Sequence, residues 1–181
     1  MSDPVANEDD WQTATDIVED RVRGRLLNWI DKLANERFSG FAVMALDCIL
    51  IECLYGLEHG EPSPKKDSAR VYREFLKRAR FVRDGFDETA VESFYCCIRN
   101  GIAHDNETRK GWLIEKSIPK GKILSKTKAK GYQLNRTGFH KAVVAEFQEY
   151  LDKVRYGNSS ARQMMCKRMK DILKVSAPPP A

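Results

Sequence analysis

Apolar residues in the N-terminal stretch, Ile17, Val22, Leu26, Leu27, Trp29, Ile30 and Leu33, follow a rough three-to-four spacing. That period predicts a helix from a Thr13 or Thr15 cap to about Phe38, broken by Ser39-Gly40. Residues 41–57 are apolar on nearly every side, the pattern of a central helix covered by neighbours. Asp47 and Glu52 are its polar exceptions, and a loop at residues 59–64 ends it. Residues 67–80 predict a third helix, with Val71, Tyr72, Phe75, Leu76 and Ala79 on one stripe. Arg70, Arg73, Lys77, Arg78 and Arg80 form its opposite, solvated face. After a turn at Asp84-Gly85, Asp87 or Thr89 caps a fourth helix, and Thr89 with Glu92 matches a capping box. This helix runs through Phe94, Tyr95 and Ile98, weakens at Gly101 and ends near Asp105-Asn106.

The pattern then changes. Residues 111–115 and 122–125 predict two short strands joined by a turn at 119–121, and 132–134 a third extended piece. Asn135 or Thr137 starts a fifth helix through Ala142, Val143, Phe147 and Leu151, stopped by Gly157-Asn158. Residues 159–175 predict a basic sixth helix. The expected fold class is mainly all-α: one domain at 11–175, a small inserted β-hairpin at about 111–134, and disordered tails at 1–10 and 176–181.

A length of 181 residues suits one domain with a real core. The net charge of +5 and pI of about 8.9 permit a polyanionic partner without requiring one. Five cysteines, Cys48, Cys53, Cys96, Cys97 and Cys166, form no C-x-x-C pair and read as reduced thiols, which fits a cytoplasmic protein. The acidic, polar N-terminus does not read as a signal peptide, and the apolar run at 41–51 is too short to span a bilayer, so no membrane is expected. His59, His104 and His140 are not spaced as zinc ligands, so no metal is expected. No phosphate-binding glycine loop, dinucleotide fingerprint or serine-hydrolase elbow is present, and no cofactor is expected.

The chemistry-bearing segment is Arg99-Asn100-Gly101-Ile102-Ala103-His104. Arginine binds phosphate bidentately, and histidine exchanges protons near neutral pH. On an ideal helix Asn100 and His104 lie about 40° apart, while Arg99 and His104 are about 140° apart. Convergence of Arg99 and His104 requires a distortion near Gly101, or a second copy of the segment from a dimer partner.

Arg99-Asn100-x-x-x-His104, closing the fourth helix of a small helical bundle, resembles the R-x4–6-H motif of the HEPN superfamily. Asn100 fits the polar residue often found after that arginine. The resemblance spans about residues 13–156 as helix order and is specific at the motif alone. It implies a metal-independent endoribonuclease, in which the ribose 2′-hydroxyl attacks the adjacent phosphorus and leaves a 2′,3′-cyclic phosphate. It assigns His104 to proton transfer, Arg99 to the phosphate, and Asn100 to orienting His104 or binding substrate. One histidine supplies half of an acid–base pair, so a homodimer through the fourth helix is implied. A toxin or antiviral-defence setting, with an antitoxin or regulatory protein as partner, follows from the resemblance as well.

Residues 116–136 hold seven basic residues and no acidic one. Lys116, Lys120, Lys122, Lys126, Lys128, Lys130 and Arg136, flanked by Trp112 and Tyr132, read as a phosphate-contacting hairpin with an aromatic for base stacking. A solvated hairpin whose lysines protect an exposed edge is the competing reading. Asp47 needs a partner if buried, and Arg99 is the expected one; Glu52 is expected on an exposed strip, and His140 at the surface. Two functional alternatives share this fold: a non-catalytic module binding RNA or a nucleotide, and a dimeric interaction protein.

Overall fold

The computed structural model describes residues 8–64 and 66–176. Helix α1 (Glu8–Val22) passes through a π-turn at Arg23–Leu27 into α2 (Asn28–Leu33). The helix starts before the predicted caps because Glu8, Asp9 and Asp10 occupy its first turn, where carboxylates favour the positive end of the helix dipole. Thr13 and Thr15 instead donate their hydroxyls to carbonyls one turn back. Residues 1–7 and 177–181 of the expected tails lie outside the described residues.

Helix α3 (Gly40–His59) is the central element, with Met44, Leu50, Ile51 and Leu54 fully buried. With its flanks it has the length and apolar composition of a membrane-crossing helix, which the 41–51 run alone does not. Here that apolar surface is largely turned into the core. The predicted third helix is two, α4 (Ser68–Leu76) and α5 (Ala79–Arg83), because Arg78 between them is extended. Its guanidinium bridges Glu58 and Glu146 at 2.5 and 2.9 Å, and Arg80 also reaches Glu146, so this basic face is paired as well as solvated.

Helix α6 (Glu88–Phe94) is capped by Asp87, whose carboxylate accepts from Ala90 N–H at 2.8 Å. Phe94 is the centre of an aromatic cluster, stacked on Phe139 at 5.5 Å and edge-on to Trp112 at 5.9 Å. Gly85, at φ +113°, lies so close to the chain that a Cβ there would sit 2.3 Å from the Leu124 carbonyl oxygen.

The insertion is a three-stranded sheet rather than a simple hairpin. Strands β1 (Trp112–Glu115), β2 (Leu124–Lys126) and β3 (Tyr132–Asn135) lie in the order β1-β3-β2. β3 runs parallel to β1, with Trp112 opposite Tyr132, and antiparallel to β2. Leu124, Tyr132 and Leu134 bury one face of the sheet, and this burial draws the third extended piece between the other two. β3 runs directly into α7 (Arg136–Arg155), capped by Asn135 through Gly138 N–H at 3.0 Å. α8 (Ser159–Ser176) follows, one residue past its expected end. The chain is therefore mainly α-helical with a small inserted β element. Cys48, Cys53, Cys96 and Cys97 are free thiols.

Asp87 ties the sheet to the start of α6: Lys126 reaches it at 2.8 Å and the Tyr132 hydroxyl donates at 3.1 Å. The Lys126 contact is the main reason its carboxyl lies below the ordinary range. A depressed carboxyl stabilises the fold above its unfolded pKa, and that stability is lost as pH falls through the folded value. Asn caps a helix as well as Asp does, so Asp87→Asn removes the charge and keeps the cap. We expect urea unfolding of this variant to weaken less than wild type as pH drops below about 4.

Candidate active site

Past Phe94 the helix continues through two π-turns, Tyr95–Arg99 and Gly101–Asp105. Asn100 N–H donates to the Tyr95 carbonyl and Asn106 N–H to that of Gly101, each to the residue five positions back. Arg99 closes the first of these turns and His104 lies in the second, so the interval between them departs from ideal α-helical geometry. Asn106, left-handed at φ +54°, then ends the helix. The distortion is locked by the chain folding back. Glu107 N–H donates to the Gly101 carbonyl at 3.2 Å, and Arg109 N–H to that of Cys97 at 3.0 Å. A Cβ on Gly101 would sit 2.4 Å from the Glu107 carbonyl oxygen, so glycine is required by close approach rather than by helix breaking.

Arg99 is partly buried and held on three sides. Nε donates to Glu52 Oε1 at 3.2 Å, Nη1 donates to Asn100 Oδ1 at 3.3 Å, and Cζ stands 5.8 Å from the Tyr95 ring centroid. Burial disfavours its charge, but Glu52 and Tyr72 outweigh that and hold the guanidinium above its ordinary pKa. The Tyr72 hydroxyl donates to the same Glu52 oxygen at 2.6 Å. Burial, with Cys48 and Glu52 nearby, raises the pKa of this phenol. Between α3 and the π-turns lies a cavity of about 180 Å³ lined by Cys48, Ile49, Glu52, Arg99 and Ile102. His104 is exposed and makes no hydrogen bond or ion pair with any described residue. Asn100 gives its oxygen to Arg99, so within one chain it orients the arginine rather than the histidine.

Three expectations are corrected: Glu52 is partly buried rather than on an exposed strip, Arg99 is not the partner of Asp47, and His140 is not at the surface. Arg99 pairs with Glu52, not Asp47, because Glu52 is the α3 carboxylate on the side facing the π-turns. Asp47 is fully buried on another side of α3, where Oδ1 lies 2.7 Å from His140 Nδ1. The His140 side chain is 13% exposed, well inside the surface position expected for it.

The basic stretch divides. Lys120, Lys122, Lys126, Lys128 and Lys130 are exposed, with Lys126 committed to Asp87. Arg136 is buried, its Nη1 donating to Ser39 Oγ at 2.7 Å, so it belongs to the interior rather than to an RNA-facing surface. Trp112 and Tyr132 are core residues, which removes the expected stacking platform. The Asp47–His140 pair is the contact that the sequence reading missed. Its signal was the burial of Asp47 together with the position of His140 beside the Phe139–Val143–Phe147 stripe of α7.

No protein-family model, curated protein or solved structure matches this chain.

Two substitutions test the local construction. Gly101→Ala must displace backbone, and a loss of about 1–3 kcal/mol is expected in chemical denaturation. Glu52→Ala leaves Arg99 uncompensated and removes the shorter of the two Tyr72 hydrogen bonds, at about 1–3 kcal/mol. Glu52→Gln, which keeps an acceptor for Tyr72, is expected to lose less.

Proposed function

We propose that this chain is a HEPN-like, metal-independent endoribonuclease that works as a homodimer through the helix carrying Arg99 and His104. The observation that carries the reading is the pair of π-turns, a distortion of the helix at the motif, which the convergence of Arg99 and His104 would require. An arginine pre-oriented by Glu52 and Asn100 supports it, as does a histidine left free at the surface. The exposed lysines of the inserted sheet supply a sequence-independent attraction for the RNA backbone.

In the proposed reaction His104 of one protomer accepts the proton of the ribose 2′-hydroxyl. The 2′-oxygen attacks phosphorus while Arg99 stabilises the charge on the equatorial oxygens. The P–O5′ bond breaks, and the 5′-oxygen takes a proton from the second protomer's histidine. The products are a 2′,3′-cyclic phosphate and a 5′-hydroxyl. A toxin or defence setting, with an antitoxin or regulatory protein as partner and a cytoplasmic location, belongs to the same proposal.

The Glu52 ion pair favours a second reading, an RNA-binding module without cleavage, because the carboxylate neutralises Arg99 in the isolated chain. End-labelled RNA incubated in EDTA separates the two. Cleavage to 2′,3′-cyclic ends, reduced about 10²- to 10⁴-fold by His104→Ala, is the expected result. Intact RNA with salt-dependent binding by both proteins selects the binding module.

A further inference from the structure

A second cavity, of about 320 Å³, lies between α2 and α7 and shares no lining residue with the cavity at Arg99. Its apolar lining includes Leu27, Ile30, Val43 and Val144. Three basic side chains of α7, Arg136, His140 and Lys141, line it as well.

Arg136 is 6% exposed, yet its guanidinium meets only neutral acceptors: Ser39 Oγ at 2.7 Å and the Ala34 and Glu36 carbonyls at 3.4 Å. It forms no ion pair among the described residues. A buried guanidinium is normally paired with a carboxylate, and these three bonds leave two of its five N–H donors over. His140 gives Nδ1 to Asp47, so Nε2 is its remaining polar atom. Lys141 is exposed and has no carboxylate partner among the described residues. The other charges at the cavity do not change this balance. Arg23 is already paired with Glu19 at 2.8 Å. Asp31, 4.0 Å from His140 Nε2, is 73% exposed and at the mouth. The lining is thus an apolar floor beside the buried, uncompensated guanidinium of Arg136 and the exposed Lys141.

We propose that this cavity binds a small ligand with an oxyanion headgroup on an apolar body. The headgroup sits on Arg136 and Lys141, and the apolar body lies on Leu27, Ile30, Val43 and Val144. The site is independent of Arg99 and His104, and it stands or falls apart from the ribonuclease reading.

The probe is phenyl phosphate, titrated into the full-length protein by calorimetry beside inorganic phosphate and phenol. Saturable binding of phenyl phosphate, at least tenfold tighter than either fragment, is expected. Lys141→Gln, a surface change, should weaken it about tenfold, the scale of one charge-assisted hydrogen bond. Val144→Phe should fill the cavity and abolish it, while Arg99→Ala should leave it unchanged. Three results overturn the proposal: no saturable binding, phenyl phosphate binding no tighter than inorganic phosphate, or binding that survives Val144→Phe. Loss of binding in Arg99→Ala alone places the ligand at the other site and overturns it equally.

Discussion

A carboxylate inside an apolar helix has to be met by a proton donor from another part of the chain, and α3 carries two. Glu52 draws in Arg99 and Tyr72; Asp47 draws in His140. Leaving either acid unmet in the interior would cost several kcal/mol, so these pairs select among the ways the outer helices could pack on α3. Asp47 is met only in part. Its Oδ2 has no partner among the described residues, and burial raises its pKa despite His140. Apolar burial supplies most of the stability, and the two acids fix which face of α4, of the π-turn at Arg99 and of α7 turns inward.

The same arrangement makes Arg99 a positioned group rather than a flexible surface charge. Glu52 both holds it and neutralises it, so a phosphate approaching this site must compete with a carboxylate already in place. A site built in this way trades resting electrostatic attraction for orientation. The free lysines of the sheet, which are not so committed, are the more natural source of long-range attraction for a polyanion.

Helix identity was legible in the sequence because long periodic stretches leave few alternatives. Asn135 and Asp87 were legible as caps, and Asp105-Asn106 as a stop. Thr89 lost to Asp87 because both cannot cap one helix, and Asp87 also gains Lys126 and Tyr132. The split at Arg78 was invisible because its cause, the carboxylates Glu58 and Glu146, is remote in sequence. The sheet was misread for the same reason: β1 looks like the first strand of a hairpin, and nothing local tells it to pair in parallel with β3. At the site, the motif was legible and its geometry was not. Spacing alone gives an angle on an ideal helix, whereas the π-turns depend on Glu107 and Arg109 folding back to Gly101 and Cys97.

The parallel pairing of β1 with β3 also bears on the order in which the molecule is completed. β3 is the central strand of the sheet and the last to be synthesised. β1 therefore waits without a partner until Tyr132–Asn135 has left the ribosome, and Asp47 waits in the same way for His140. The two ends of that wait are joined, because β3 runs directly into α7. One late segment closes the sheet and then supplies the central helix with its missing proton donor. Until α7 and α8 are made, the faces of α3 that pack on them have no cover, so the core of the bundle is completed by its C-terminal helices.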